Sequence, residues 1–235
     1  MRIAGIQKNS FVDYPGKVCA VLFTPGCNMD CFYCHNRMLL SGGERVNLID
    51  MDKVLGFLTK RKGFLEGVVV TGGEPTLQDD LYDFLGTIKG MGYSVKLDTN
   101  GTNPRVIESL INKRMVDYIA MDIKAPFEKY EKVCGIKVKI ESIKKSISLL
   151  KESAVDYEFR TTIAPGLNFD DIIKIANEVS GARLYVLQNY RSINAHDAKD
   201  HLKEPSCSPE IILGAAESIK GTIRRVETRG VFFCA

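Results

Sequence analysis

What most constrains this chain is a repeated order of segments. A short run rich in β-branched and aromatic residues is followed by an amphipathic stretch, six times over. The runs are Val18–Phe23, Gly67–Thr71, Ser94–Asp98, Asp117–Lys124, Tyr157–Ile163 and Arg183–Asn189. Helix signals lie between them. Asn103 before Pro104, and Ser208 before Pro209, place a cap residue ahead of a proline in the first turn. Asp170 is placed to cap the helix carrying Ile172, Ile173 and Ile175, and Lys139–Lys151 spaces Ile140, Ile143, Ile147 and Leu150 at helical intervals. Strands alternating with helices imply an α/β fold of parallel βαβ units joined by right-handed crossovers. Six units either curl into a partial barrel or lie open as a doubly wound sheet, and periodicity alone does not choose. At 235 residues the chain has the size of a single barrel-type domain. Its core is expected over about 17–190, with 191–235 as a polar loop, a C-terminal helix and a tail.

Composition removes several function classes. A hydrophobic content of 45% and a charged content of 26% exclude wholesale disorder. A net charge of +3 argues for neither nucleic acid nor a membrane surface as partner. The longest apolar run, Val18–Phe23, is far short of the roughly 20 residues of a spanning helix. No export signal is read at the start, so the expected compartment is the cytoplasm. In that reducing setting the seven cysteines are more readily metal ligands or thiols than disulfides.

Polar residues and glycines gather at the carboxyl end of run after run. They are Cys27 after the first, Gly72-Gly73-Glu74 after the second, Asp98 and Asn100 at the third, and Asp122 and Lys124 at the fourth. Arg160 and Thr162 follow in the fifth, Gln188 and Asn189 at the sixth. Ligands of parallel α/β proteins bind at these ends. Strand ends meet polar loops in any protein, but charged groups within strands need partners. For Arg160, Glu158 on the same strand face is one such partner.

Cys27-Asn-Met-Asp-Cys31-Phe-Tyr-Cys34 sets three thiols, C-x3-C-x2-C, on one loop directly after an apolar strand. A structural zinc site needs a fourth ligand. His35 is adjacent to Cys34 and badly placed, so His196, His201, Cys207 or Cys234 would have to supply it. A cuboidal iron–sulfur cluster normally takes four thiolates, so three leave one iron open, the mark of a reactive centre. A closed, non-catalytic metal or electron-transfer module is the alternative from another class. Cys19, Cys134, Cys207 and Cys234 read as packed or free thiols, with Cys234 the one placed to react.

C-x3-C-x2-C with Tyr33 before the last cysteine is similar to the cluster motif of radical S-adenosylmethionine (radical SAM) enzymes. Gly72-Gly73-Glu74-Pro75 resembles their GGE motif. Cys31-Phe-Tyr-Cys34-His35-Asn36, preceded by Ser10-Phe-Val-Asp-Tyr-Pro-Gly16, narrows the resemblance to glycyl-radical-enzyme activases. Within them it is most like the anaerobic ribonucleoside-triphosphate reductase activating proteins, over about residues 5–190. The resemblance implies a partial (β/α)6 barrel of the radical SAM type with parallel strands. It implies a 4Fe–4S cluster on Cys27, Cys31 and Cys34, with SAM chelated to the open iron through its amino and carboxylate groups.

The resemblance also implies SAM contacts. Gly72 and Gly73 would let the backbone approach the ligand closely, Glu74 would hold the methionine ammonium, and Tyr33 and His35 would flank adenine. A plain strand-to-helix turn at Gly72–Pro75 and ordinary packing of Tyr33 are the structural alternatives. Asp98-Thr-Asn-Gly101 and Asp122-Ile-Lys124 resemble activase segments near SAM. There two carboxylates could hold a cation or the sulfonium ligand, and Lys124 a carboxylate or the ribose. Arg160 matches an arginine ahead of a Pro-Gly turn.

The activity implied is an oxidoreductase one: reductive cleavage of SAM to methionine and a 5′-deoxyadenosyl radical, which takes hydrogen from a glycine of the partner reductase. An external one-electron donor such as flavodoxin or ferredoxin would feed it. Activation of pyruvate formate-lyase or another glycyl radical enzyme, or chemistry on a small molecule, uses the same motifs. Where related activases can carry a histidine, this chain reads Gln188-Asn-Tyr-Arg191. The polar stretch Arg191–Ser206 is either a lid or docking loop or a plain surface connection.

Overall fold

The computed structural model describes residues 1–40, 47–191 and 207–230. Over these residues one eight-stranded sheet runs in chain order. Its strands are β1 (Gly5–Ser10), β2 (Cys19–Thr24), β3 (Gly67–Gly72), β4 (Ser94–Thr99), β5 (Tyr118–Asp122), β6 (Asp156–Ile163), β7 (Tyr185–Asn189) and β8 (Val226–Arg229). β1 pairs antiparallel with β2, and every later pair is parallel. The order never reverses, which decides between the two architectures. A doubly wound sheet needs a switch point where the order turns back. Right-handed crossovers that always step to the same side put all the helices on one face, and the other face curls on itself as a partial barrel.

The six expected strands all form, each within two residues of its expected ends. The two edge strands were not expected. β1 carries a single large apolar residue, Ile6, and β8 is only Val-Glu-Thr-Arg. The presumed tail therefore supplies a parallel strand beside β7, anchored further by an Asn189 amide that donates to Gly230 O (3.2 Å).

The helices are α1 (Met51–Lys60), α2 (Leu81–Gly90), α3 (Pro104–Asn112), α4 (Tyr130–Cys134), α5 (Ile140–Glu152), α6 (Phe169–Glu178) and α7 (Pro209–Ser218). The cap of α6 is Asn168 rather than Asp170. Asn168 accepts from Asp171 N (3.0 Å) and Asp171 accepts from Asn168 N (3.1 Å), a reciprocal capping box. Asn103 and Ser208 sit at cap positions before their prolines, yet neither side chain caps its helix. Asn103 donates to Thr76 O instead (3.1 Å), tying α3 to the loop after β3. No described helix is long and apolar enough to cross a membrane.

Strand alternation divides the interior. Leu22, Val70, Leu97, Met121 and Phe159 are fully buried in the layer between sheet and helices. On the concave side Tyr14, Cys19, Val21 and Val69 form a second buried cluster. Gly67 is bare because a Cβ there would lie 2.9 Å from the Tyr14 ring. Farther along the sheet the wall becomes charged, carrying Lys96, Asp98, Asp122, Glu158 and Arg160.

Candidate active site

The strands deliver their carboxyl ends to one rim, where a cavity of about 200 Å³ opens. Its wall holds all twelve residues singled out from the sequence: Cys27, Cys31, Tyr33, Cys34, His35, Gly72, Gly73, Glu74, Asp98, Asp122, Lys124 and Arg160. The Cys27–Cys34 loop follows β2, the glycines and Glu74 close β3, and the charged residues come from β4, β5, β6 and the turn after β5.

The cysteine loop is braced from outside. Asp30 N donates to Cys134 O (2.9 Å), Asp30 pairs with Arg37 (2.8 Å), and Arg37 donates to Cys31 O (3.2 Å). Cys134, which the sequence left as a scattered thiol, is brought against Cys31. The Cys134 thiol lowers the Cys31 pKa to about 7 despite burial and is itself pushed far up. Burial pushes Cys27 up to about 11 and also raises Cys34. The Asn100 amide reaches to 4.0 Å from the Cys27 sulfur and donates to Asn28 Oδ1 (2.9 Å). Cys19 packs within the concave cluster as expected, and Cys207 donates to Leu167 O (3.1 Å). Cys234, His196, His201 and residues 192–206 lie outside the described residues.

Among the described residues no three Cys, His, Asp or Glu side chains come together closely enough for one metal ion. A cuboidal cluster asks less, because each thiolate binds its own iron. Three thiols lining one cavity fit that donor set, and beside them the buried Tyr33 hydroxyl has no hydrogen-bond partner.

Beside the close backbone approach to a ligand expected of them, the two glycines have a role within the fold. Gly72 has φ +118°, and a Cβ there would sit 2.4 Å from Thr24 N; one on Gly73 would sit 2.0 Å from Gly26 O. Their bareness lets the end of β3 press on the backbone leading to Cys27, where Gly73 N donates to Thr24 O and Glu74 N to Gly26 O, both at 2.8 Å. Both glycines still reach the cavity wall. Glu74 is fully buried and already accepts four hydrogen bonds. They come from Thr76 N (3.1 Å), Thr76 Oγ1 (2.5 Å), Thr99 Oγ1 (2.8 Å) and Asn100 N (2.7 Å). Burial outweighs these donors and raises its pKa.

Arg160 is the hub of the charged wall. Its Nε donates to Asp122 (2.9 Å) and its Nη1 to Asp98 (3.2 Å). Asp98 also pairs with Lys96, and Asp122 with Lys124 (3.0 Å). The alternative partner, Glu158, is 3.9 Å from Arg160. Glu158 is instead gripped by Arg229 of β8 (2.8 and 2.6 Å) and accepts from the Tyr118 hydroxyl (3.0 Å). Burial disfavours both aspartates' charge, but Arg160, with Lys96 at Asp98 and Lys124 at Asp122, holds them below the usual carboxylate range. Asp98 and Asp122, read from the sequence as carboxylates that could hold a cation or the sulfonium ligand, thus already pair with Arg160, Lys96 and Lys124.

His35 stacks on Tyr190, with ring centroids 5.7 Å apart and planes 12° from parallel. A His35 ring nitrogen also lies 2.7 Å from Arg191 O. The run after β7, from which no site residue was expected, therefore reaches the cysteine loop. Asn100 and Lys96 were visible as neighbours of Asp98 on one strand face. Nothing in the sequence pointed to Tyr190 or Arg229.

The family model for the radical SAM superfamily matches residues 21–179. A Methanocaldococcus jannaschii protein that carries the name of a glycyl-radical enzyme activating enzyme is 39% identical over 202 residues, 83% of this chain and 82% of its own. A second protein of that organism with the same kind of name is 32% identical over 178 residues, 74% of this chain and 68% of its own. Among solved structures, Streptococcus suis SuiB bound to S-adenosylmethionine matches with a TM-score of 0.67 at 14% identity, a likeness of fold over 89% of this chain and 52% of its own.

Proposed function

The chain belongs to the radical SAM superfamily, and on that premise we propose that it is an activase that cleaves SAM reductively and takes hydrogen from a glycine of an anaerobic ribonucleoside-triphosphate reductase. The superfamily's cofactors, a 4Fe–4S cluster and SAM, are those of this enzyme. The observation that carries the reading is the meeting of three loop thiols, the Gly72–Glu74 turn and the charged wall around one cavity. The relatives named as activating enzymes support the activase step. The reductase as target rests on the segments Ser10–Gly16 and Cys31–Asn36.

Cys27, Cys31 and Cys34 would hold the cluster, leaving one iron for SAM. When bound, the cluster supplies the electron that splits SAM into methionine and a 5′-deoxyadenosyl radical. The chain's own residues do the rest. Lys124 and Arg160 would meet the methionine carboxylate, held in place by Asp98 and Asp122. Glu74 and the backbone of Gly72 and Gly73 would face the ammonium, and Tyr33 and His35 the nucleoside. Met29 and Leu40 add apolar wall that limits water around a reactive species. The same reading takes 1–235 as one radical SAM domain working in the cytoplasm with a flavodoxin- or ferredoxin-like donor, without nucleic acid or membrane.

The test is anaerobic. The chain is reconstituted with iron and sulfide, reduced with dithionite and given SAM and the candidate reductase, and 5′-deoxyadenosine is quantified beside the glycyl radical signal. Wild type should give both and Cys31→Ala neither. A fully reducible cluster with neither product would overturn the activase reading. Radical on pyruvate formate-lyase but not on the reductase would overturn the target alone.

A further inference from the structure

We propose that Asn100 is a positioning residue that aims a side-chain N–H at the Cys27 sulfur and so raises the potential at which a cluster held there is reduced; the inference rests on the reading of Cys27 as a cluster ligand. Asn100 directly follows β4, is buried, and lines the cavity. Its Nδ2 lies 4.0 Å from the Cys27 sulfur and donates to Asn28 Oδ1 (2.9 Å). The distance to sulfur is long, but the pull of an amide dipole on a charged sulfur does not need full contact.

The amide has one orientation that its neighbours accept. Thr102 N, a backbone donor, reaches Asn100 Oδ1 (3.0 Å), so the NH2 group must lie on the Cys27 side. The other bonds agree with that choice. The Asn28 amide donates to Thr102 Oγ1 (2.9 Å), and the Thr102 hydroxyl donates back to Asn100 Oδ1 (2.7 Å). With one amide hydrogen given to Asn28, the second is left for the sulfur. The backbone is pinned as well: Asn100 N donates to Glu74 Oε2 (2.7 Å), and Gly101 N to Thr99 Oγ1 (3.1 Å). Reduction adds one negative charge to an iron–sulfur cluster, and hydrogen bonds to its sulfurs make that charge less costly. A purely structural Asn100, holding the turn through Oδ1 alone, would leave the potential where it is.

The experiment needs neither SAM cleavage nor a reductase, so its failure is separate from failure of the activase reading. The full chain is reconstituted with iron and sulfide, and its cluster is titrated against redox dyes by absorbance. Asn100→Ser keeps an acceptor for Thr102 N but cannot reach Cys27, and Asn100→Leu keeps the size without the donor. At the wild-type midpoint the ratio of reduced to oxidised cluster should fall about tenfold in each, a midpoint lower by about 59 mV for one electron. A midpoint equal to that of wild type in Asn100→Ser overturns the proposal. Wild type carries a second test that no variant's folding can spoil. With asparagine labelled by 15N at the side chain, pulsed EPR of the reduced cluster should show a nitrogen coupling, and Asn100→Ser should lose it. No coupling in wild type, or one that persists in Asn100→Ser, overturns the proposal as well.

Discussion

Replacing Arg160 with methionine removes the hub of the charged wall while keeping most of its volume. Asp98 and Asp122, 14% and 28% exposed, would lose their shared guanidinium. Removing one partner of a buried ion pair costs about 3–5 kcal/mol. Here the lower end applies, because Asp98 keeps Lys96 and Asp122 keeps Lys124. At about 2–4 °C per kcal/mol for a chain of this size, 3 kcal/mol is a fall in Tm of roughly 6–12 °C. The assay is thermal unfolding of cluster-free wild type and variant at pH 7, repeated down to pH 3. The sign of the pH dependence is fixed by the carboxyls. Arg160 helps hold both below their usual range, so their contribution is present above an unfolded pKa of about 3.9 and is lost as pH falls through the depressed folded values. The gap between wild type and Arg160→Met should therefore narrow below about pH 4. An unchanged Tm at neutral pH, or a gap that stays constant down to pH 3, would refute the hub reading.

Two further outcomes follow from single contacts. Gly73→Ala places a methyl 2.0 Å from Gly26 O, so backbone must move; stability should fall by at least about 2 kcal/mol, read as Tm, and the thiols of the adjoining loop should react faster with a maleimide. Glu178 is pushed up to about 7 by burial, with Oε1 accepting from Phe127 N and Oε2 unpartnered. A raised acid stabilises the fold most below its unfolded pKa, and that contribution is lost as pH rises through about 7. Glu178→Gln should flatten the decline in Tm between pH 5 and pH 8, and an identical slope in the variant would reject this account.

Local pattern carried much of this molecule. Six strands were legible because β3 or β6 is a dense run of Val, Ile, Phe and Tyr bounded by turn residues, and their carboxyl ends named the rim. The cysteine loop and Gly72–Glu74 were legible as motifs because each is contiguous. What could not be read is what depends on contacts between distant segments. β1 and β8 have weak strand signals and form because a neighbouring strand offers its edge. Strand alternation put Arg160 and Glu158 on one face, but only the order and register of the strands bring Asp98, Asp122 and Arg229 within reach of them and so decide who pairs with whom. The α6 cap went to Asn168 because its box with Asp171 satisfies two backbone donors where Asp170 offers one. Cys134 was invisible for the same reason as Tyr190: neither has a local pattern, and both matter through what α4 and β7 place beside the cysteine loop.

Most of the wall is poorly suited to separating folding from function, because Glu74 and Arg160 hold the fold together through the atoms they would offer a ligand. Tyr33 is different. Its hydroxyl is buried without a partner, so in the cluster-free chain Tyr33→Phe removes an unsatisfied polar group and loses no hydrogen bond. Leaving such a group unmade costs about 1–3 kcal/mol, so the variant should be at least as stable as wild type and up to about 1 kcal/mol more so. In the loaded enzyme the sign reverses if the hydroxyl meets SAM: the dissociation constant should rise by roughly tenfold, a loss of about 1.4 kcal/mol. Thermal unfolding of the cluster-free protein and equilibrium binding of SAM to the reconstituted one read the two states separately. A destabilised cluster-free variant would mean that the hydroxyl has a partner within the fold. Unchanged SAM affinity would mean that it faces no ligand.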